Sequence, residues 1–219
     1  MKKVRPWLYL LPSLILLGIF MIYPLFDVLV YSLQEGYNSA SQTYSGIGFY
    51  NFSYVLRDPY FLQAVKNTFL LVIITVPLST GLALLLSLAL SSIKKVKELY
   101  QTIYFLPYVT NTLAGGLVFM ILFKKTPYSD GFINMIIQFF GGNSVDFIEG
   151  PYWAKMLTMC IYTIWIVLPF KVLILTSALA SVDQNLYKAA KVDGTSSFRT
   201  FTKITLPMIM PMISYLVIT

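Results

Sequence analysis

Apolar runs long enough to cross a bilayer alternate along this chain with short polar or amphipathic stretches. Four of them, Trp7 to Tyr31, Phe69 to Ser91, Tyr100 to Phe123 and Tyr152 to Thr176, meet the roughly 20 mainly apolar residues that a spanning helix needs. A fifth starts at Leu206 and stops at Thr219, about 14 residues that cover only part of a hydrocarbon core. The pattern predicts an all-α integral membrane protein, one transmembrane domain over 1–219 with spans at about 7–31, 69–91, 100–123, 152–176 and, in part, 206–219. It is expected to be incomplete at its C-terminus. The first run, with Lys2, Lys3 and Arg5 ahead of it, is too long for a signal core and shows no small-residue cleavage site, so it reads as an uncleaved anchor.

Between the fourth and fifth runs, over 177–205, the period changes. Leu186, Ala189 and Ala190 share one helical face, and Lys188 and Lys191 occupy another. Gly194 interrupts, and Thr195 or Ser196 is placed to cap a second helix in which Phe198, Phe201 and Ile204 recur three apart. Two short helices meeting at a glycine make an elbow. Its apolar faces suit a groove on a partner protein, and its basic residues suit an acidic rim.

Inside the spans the pattern has finer features. Ser79, Ala83, Ser87 and Ser91 form a ridge of small residues four apart, which predicts close packing against another helix. The third run is softened by Pro107 and by Gly115-Gly116, and Tyr108, Thr110, Asn111 and Thr112 within the softened part are candidates for contact with a transported solute. Phe132 to Phe140, closed by Gly141-Gly142, is too short to span and is expected to lie along the outer interface. Asp27 and Lys171 are expected to reach water from near the ends of their spans.

Composition narrows the class. With 57% hydrophobic and 11% charged residues there is too little polar surface to cover a water-soluble globule of 219 residues. The net charge of +7 is dispersed over loops, with no base-stacking platform, so no nucleic-acid partner is expected. The lysines and arginines instead sort by side. A cytoplasmic N-terminus puts Lys2, Lys3, Arg5, Lys94, Lys95, Lys97, Lys188, Lys191, Arg199 and Lys203 inside, which makes the elbow cytoplasmic and the chain a multi-pass protein of the inner (cytoplasmic) membrane. Histidine is absent, Cys160 is the single cysteine, and no Gly-x-x-x-x-Gly-Lys-Ser/Thr loop occurs. No catalytic group, metal site or cofactor is expected in this chain.

The stretch Leu186, Tyr187, Ala189, Ala190, Asp193, Gly194, Phe198, Phe201, Ile204, Thr205, Leu206, Pro207 and Pro211 resembles the EAA loop of membrane permease subunits of binding-protein-dependent ABC importers, in particular the carbohydrate-uptake group. Asn67-Thr68, Pro77, Gly81-Leu82-Ala83, Leu106-Pro107, Gly131, Asn134, Trp153-Ala154 and Trp165 are similar to that group as well. Lys188 departs from it, standing where the motif's glutamate usually is, and Thr195 stands in place of the usual alanine.

The resemblance implies a type I ABC importer (MetI-like) transmembrane helix bundle. Its elbow would act as a coupling helix seated on cytoplasmic ATP-binding subunits, through Leu186, Tyr187, Ala189, Ala190, Asp193, Gly194, Phe198 and Phe201. It further implies ATP bound by those partner subunits, a second permease subunit forming a heterodimer, an extracellular solute-binding protein, and a sugar or sugar-like solute. Two other readings stand beside it. One is a truncated, non-functional fragment. The other is a secondary transporter without an ATPase, which ought to carry ionisable groups deep in its spans.

Overall fold

The computed structural model describes residues 5–93 and 97–219. Lys2, Lys3, Lys94 and Lys95, which contribute to the predicted charge asymmetry, lie outside the described residues. The chain forms two compact units, Met1–Lys66 and Asn67–Thr219.

In the first unit, helix α1 (Arg5–Leu17) passes through a π-helical turn, Gly18–Ile22, into α2 (Tyr23–Leu33). The cause lies two residues on. Pro24 has no N–H to donate and its ring crowds the carbonyl four residues back, and a wider turn just before it relieves that crowding without ending the helix. The protein itself buries none of the most apolar window of Trp7–Leu33, so lipid or a partner must cover it.

The polar stretch from Gln34 to Asp58 carries regular structure. A two-stranded hairpin pairs Gln34 with Ile47 and Glu35 with Gly46, and α3 (Tyr50–Arg57) follows. Two side chains hold it together. Asn51 donates to the carbonyls of Ser32 (3.1 Å) and Gln34 (2.9 Å), and Glu35 accepts from the Tyr50 backbone N–H at 3.0 Å, placing a carboxylate at the start of α3. Helix α4 (Pro59–Ser92) begins ten residues before the predicted second span, its first turn secured where Asp58 accepts from the Tyr60 N–H at 2.9 Å.

The second unit continues α4 and adds α5 (Lys97–Val109), α6 (Thr112–Phe123), α7 (Phe132–Phe139) and α8 (Tyr152–Ser181). Then come α9 (Gln184–Val192), α10 (Ser197–Thr200), a second π-helical turn at Phe201–Thr205 and α11 (Leu206–Ile218). This turn repeats the device of the first, since Pro207 follows it as Pro24 follows the other. Ser197–Ile218 is thereby a single apolar helical run of 22 residues.

The predicted third span is two helices, because Thr110 and Asn111 break it. Asn111 leaves helical geometry (ψ 123°) and its side chain accepts from the Leu113 N–H at 2.8 Å, capping α6. The small-residue ridge on α4 is where the core forms. Ser79, Ala83 and Ser87 are all buried, and Ala83 joins Leu90, Val172, Leu175 and Leu216 in one apolar cluster. The fourth member of the ridge, Ser91, is exposed.

On α7, between α6 and α8, Asn134 is fully buried. Its amide donates to the carbonyls of Lys124 (3.3 Å) and Val145 (2.9 Å), and its oxygen accepts from the Val145 N–H at 2.9 Å. Asn134→Ala removes both bonds to Val145, at roughly 1–3 kcal/mol for each of its two groups left buried and unpaired, while the Lys124 carbonyl keeps the Gly131 N–H at 2.9 Å. The variant is expected to lower the thermal midpoint of the purified protein and to open 124–145 to protease, and a wild-type digestion pattern would contradict this. Gly131 has a separate reason to be glycine, because a Cβ there would strike the carbonyl oxygens of Ile121 and Leu122. Nearby, the N–H groups of Glu149 and Ile148 donate to Asp146 and hold its carboxyl below the usual range.

Candidate coupling elbow and the break in the third span

The elbow is built from local signals that agree with one another. Asp183 caps α9 by accepting from the Asn185 N–H at 2.9 Å. At the other end Gly194 takes φ +66°, its N–H bonding to the Lys191 carbonyl (3.2 Å) while the Thr195 N–H reaches back to that of Ala190 (2.9 Å). That pair of bonds is the Schellman ending, which needs a left-handed residue at this position. No atom lies within 4 Å of where a Cβ on Gly194 would sit, so only the backbone angle selects glycine there. Ser196, one of the two predicted caps, then starts α10, its hydroxyl accepting from the Arg199 N–H at 3.4 Å.

This geometry divides the predicted coupling residues between two sides. Leu186, Ala189, Asp193, Gly194 and Phe198 are exposed, Phe198 at 78%. Ala190 is buried, and Tyr187 and Phe201 are half-buried. Tyr187 packs on the cluster of Leu179, Val182 and Ile209, and its hydroxyl shares a hydrogen bond with Thr205 at 3.1 Å. Tyr187 and Ala190 therefore brace the elbow from within, and Leu186, Ala189 and Phe198 are what it presents outward. Sequence reasoning missed Val192, which is 87% exposed on the last turn of α9. Its signal was the spacing 186, 189, 192 on one stripe.

The four solute candidates fall together at the break between α5 and α6, each with a local task. The Tyr108 ring stacks on Phe170 with centroids 5.4 Å apart. Thr110 bonds through its hydroxyl to the Leu106 carbonyl at 2.9 Å, Asn111 caps α6, and the Thr112 carbonyl accepts from the Tyr162 hydroxyl at 3.0 Å. All four are exposed on the chain. Trp165 closes against Gly115, where a Cβ would come within 3.3 Å of its ring.

Lys171 does not snorkel. It is 7% exposed, ten residues before the end of α8, and its ammonium donates to the hydroxyls of Ser79 and Thr80, both at 2.9 Å. Ser79 sends its own hydrogen to the Val76 carbonyl (3.2 Å), leaving its lone pairs to the lysine. Two turns further along α4, the Ser87 hydroxyl, which donates to the Ala83 carbonyl at 2.6 Å, also lies 3.2 Å from the Val172 carbonyl. The span that leads into the elbow is thus fastened to α4 by polar contacts as well as by the ridge. Among the described residues no group of acidic side chains, cysteine and histidine is arranged to hold a metal ion.

Comparison with known proteins agrees with this architecture. The chain is 33% identical over 219 residues to the lactose transport system permease protein LacF of Rhizobium radiobacter, a match covering 99% of this chain and 71% of that protein. It is 32% identical over 218 residues to the probable ABC transporter permease protein MG188 homolog of Mycoplasma pneumoniae, covering 97% of this chain and 64% of the relative. Its fold matches a chain of the crystal structure of bacterial alginate ABC transporter in complex with alginate pentasaccharide-bound periplasmic protein, with a TM-score of 0.82 and 26% identity over 99% of this chain and 72% of that one. The fold is thus the type I, MetI-like helix bundle of ABC importers, and this chain spans about two thirds of the length of the curated relatives it matches. Residues 80–219, from the ridge on α4 through the elbow to the end of α11, match the family described as binding-protein-dependent transport system inner membrane component, and to that family the chain belongs.

Proposed function

We propose that the protein is the permease subunit of an ATP-driven importer that carries a sugar or sugar-like solute across the cytoplasmic membrane. In this reading the residues 1–219 serve as one transmembrane domain with the N-terminus inside, and the elbow at Asp193-Gly194 rests on a separate ATPase. A second, similar permease completes the pathway, and an extracellular binding protein delivers the solute. The observation that carries the proposal is the exposed apolar stripe of Leu186, Ala189, Val192 and Phe198 on an elbow whose inner side is braced against the ends of α8 and α11. An apolar, well-supported projection of this kind suits a groove on a partner, and a push on it travels into α8 and α11 as into a lever. The secondary-transporter reading gains nothing from Lys171, because no aspartate or glutamate occurs in α4, α8 or α11 to form an ion relay with it.

Val192→Cys in a Cys160→Ser background, assembled with the companion subunits, tests the inward placement. A membrane-impermeant maleimide is expected to label inside-out vesicles, with protection by the bound ATPase, and to leave right-side-out vesicles unlabelled. Labelling from the external face overturns the proposal.

A further inference from the structure

Behind the elbow, between it and the ends of α4 and α8, lies a cavity of about 700 Å³, within the range of small-ligand sites. Its walls carry Gln184, Tyr187, Lys191, Thr195, Ser197 and Thr200, and its floor includes Leu88 and Leu179. Lys191 is the only charged lining residue among those described. The side chains of Gln184, Lys191, Thr195, Ser197 and Thr200 make no hydrogen bond to another group of the protein among the described residues. Lys188, three residues away, is by contrast bonded to Asn185 at 3.4 Å and lies outside the lining.

The cavity therefore offers one uncommitted ammonium, an amide and three hydroxyls beside an apolar floor. Such a set fits an anion that also carries hydroxyl groups and an apolar tail. With the elbow facing inward as proposed, the cavity lies at the inner ends of the spans, since α4 ends at Ser92, α8 at Ser181, and the last apolar run begins at Ser197, and that level suits a lipid head group. Basic pockets between helix ends on the cytoplasmic side are where anionic head groups bind.

We propose that this cavity binds a glycerol phosphate ester, in the form of an anionic phospholipid of the inner leaflet. Lys191 faces the phosphate, Thr195, Ser197 and Thr200 serve the phosphate and glycerol oxygens, and Leu88 and Leu179 meet the first carbons of the acyl chains. An occupant bonded at once to α9 and to the helix that starts at Ser197 ties the two arms of the elbow together, so that its stiffness depends on the surrounding lipid. The proposal rests on the inward placement of the elbow, and failure of that placement shows separately in the Val192→Cys labelling.

The test uses the full permease with its companion subunits, purified from vesicles of phosphatidylglycerol and phosphatidylcholine in equal parts, with retained lipid counted by native mass spectrometry. Wild type and Lys191→Arg are expected to retain phosphatidylglycerol over phosphatidylcholine, and Lys191→Gln to retain at least about fivefold less of it, the loss of one charge-assisted contact. Lys188→Gln is expected to match wild type. In a second arm, glycerol 1-phosphate is titrated onto the complex in pure phosphatidylcholine. Lys191-dependent binding there, with no retained phosphatidylglycerol, assigns the same site to a soluble ester. Equal retention by wild type and Lys191→Gln with no ester binding overturns the proposal, as does an equal loss in Lys188→Gln, which would mean a diffuse basic surface.

Discussion

Gly194→Pro is expected to abolish stimulation of the companion ATPase by loaded binding protein, while Gly194→Asn keeps most of it. Proline holds φ near −65° where the elbow needs +66°, and it deletes the N–H that bonds the Lys191 carbonyl. The cost is about 3 kcal/mol or more, enough to unmake the ending of α9. Gly194→Val suffers from the backbone angle alone, since its Cβ would meet open space, and the left-handed region costs an ordinary residue roughly 1–2 kcal/mol and a β-branched one more. Asparagine tolerates that region, and for alanine the cost is about 1 kcal/mol. The expected order of stimulation is thus wild type, asparagine, alanine, valine, proline. Membrane insertion and the helicity of the spans should be unchanged across the series, because no span contains residue 194. Wild-type stimulation in the proline variant, measured in reconstituted complexes, removes the elbow from the coupling path.

What the sequence made legible follows how local the cause is. The elbow was readable because a helix-ending glycine and the cap after it act within a few residues of one another, so Gly194 and Ser196 carry their own geometry, whereas the Asp183 cap at the start of α9 was not read although its cause is as local. The ridge on α4 was readable because small residues four apart in an apolar helix have few uses besides close packing, and its buried members are Ser79, Ala83 and Ser87. The break at Thr110-Asn111 was only half visible. Hydropathy averaged over a span hides two polar residues, although Asn111 is of the type that caps helices. The hairpin at Gln34 to Ile47 shows no alternation, since its strands are two residues each and depend on the side chains of Glu35 and Asn51. The exposure of Val192 and the inward turn of Tyr187 required knowing which face of α9 the ends of α8 and α11 would cover.

Lys171 was the furthest from reach, because its partners stand 91 and 92 residues earlier in the chain. Once they are known, the energetics of burial favour an unequal pair of outcomes. An ammonium out of water loses several kcal/mol of solvation, and two neutral hydroxyls return only part of that. Lys171→Met keeps most of the volume and removes the charge, so it is expected to leave the thermal midpoint unchanged or to raise it. Ser79→Ala combined with Thr80→Val strands the charge against an apolar wall and is expected to cost about 3–5 kcal/mol, the usual penalty for breaking a buried charged contact. Adding Lys171→Met to that double variant should then recover most of the loss, a coupling that packing defects alone would not show. Thermal unfolding of the four proteins in one lipid environment decides the matter. If Lys171→Met is as damaging as the double variant, the lysine stabilises the α4–α8 seam outright. If all three substitutions add independently, the ammonium is not held by these hydroxyls in the working protein.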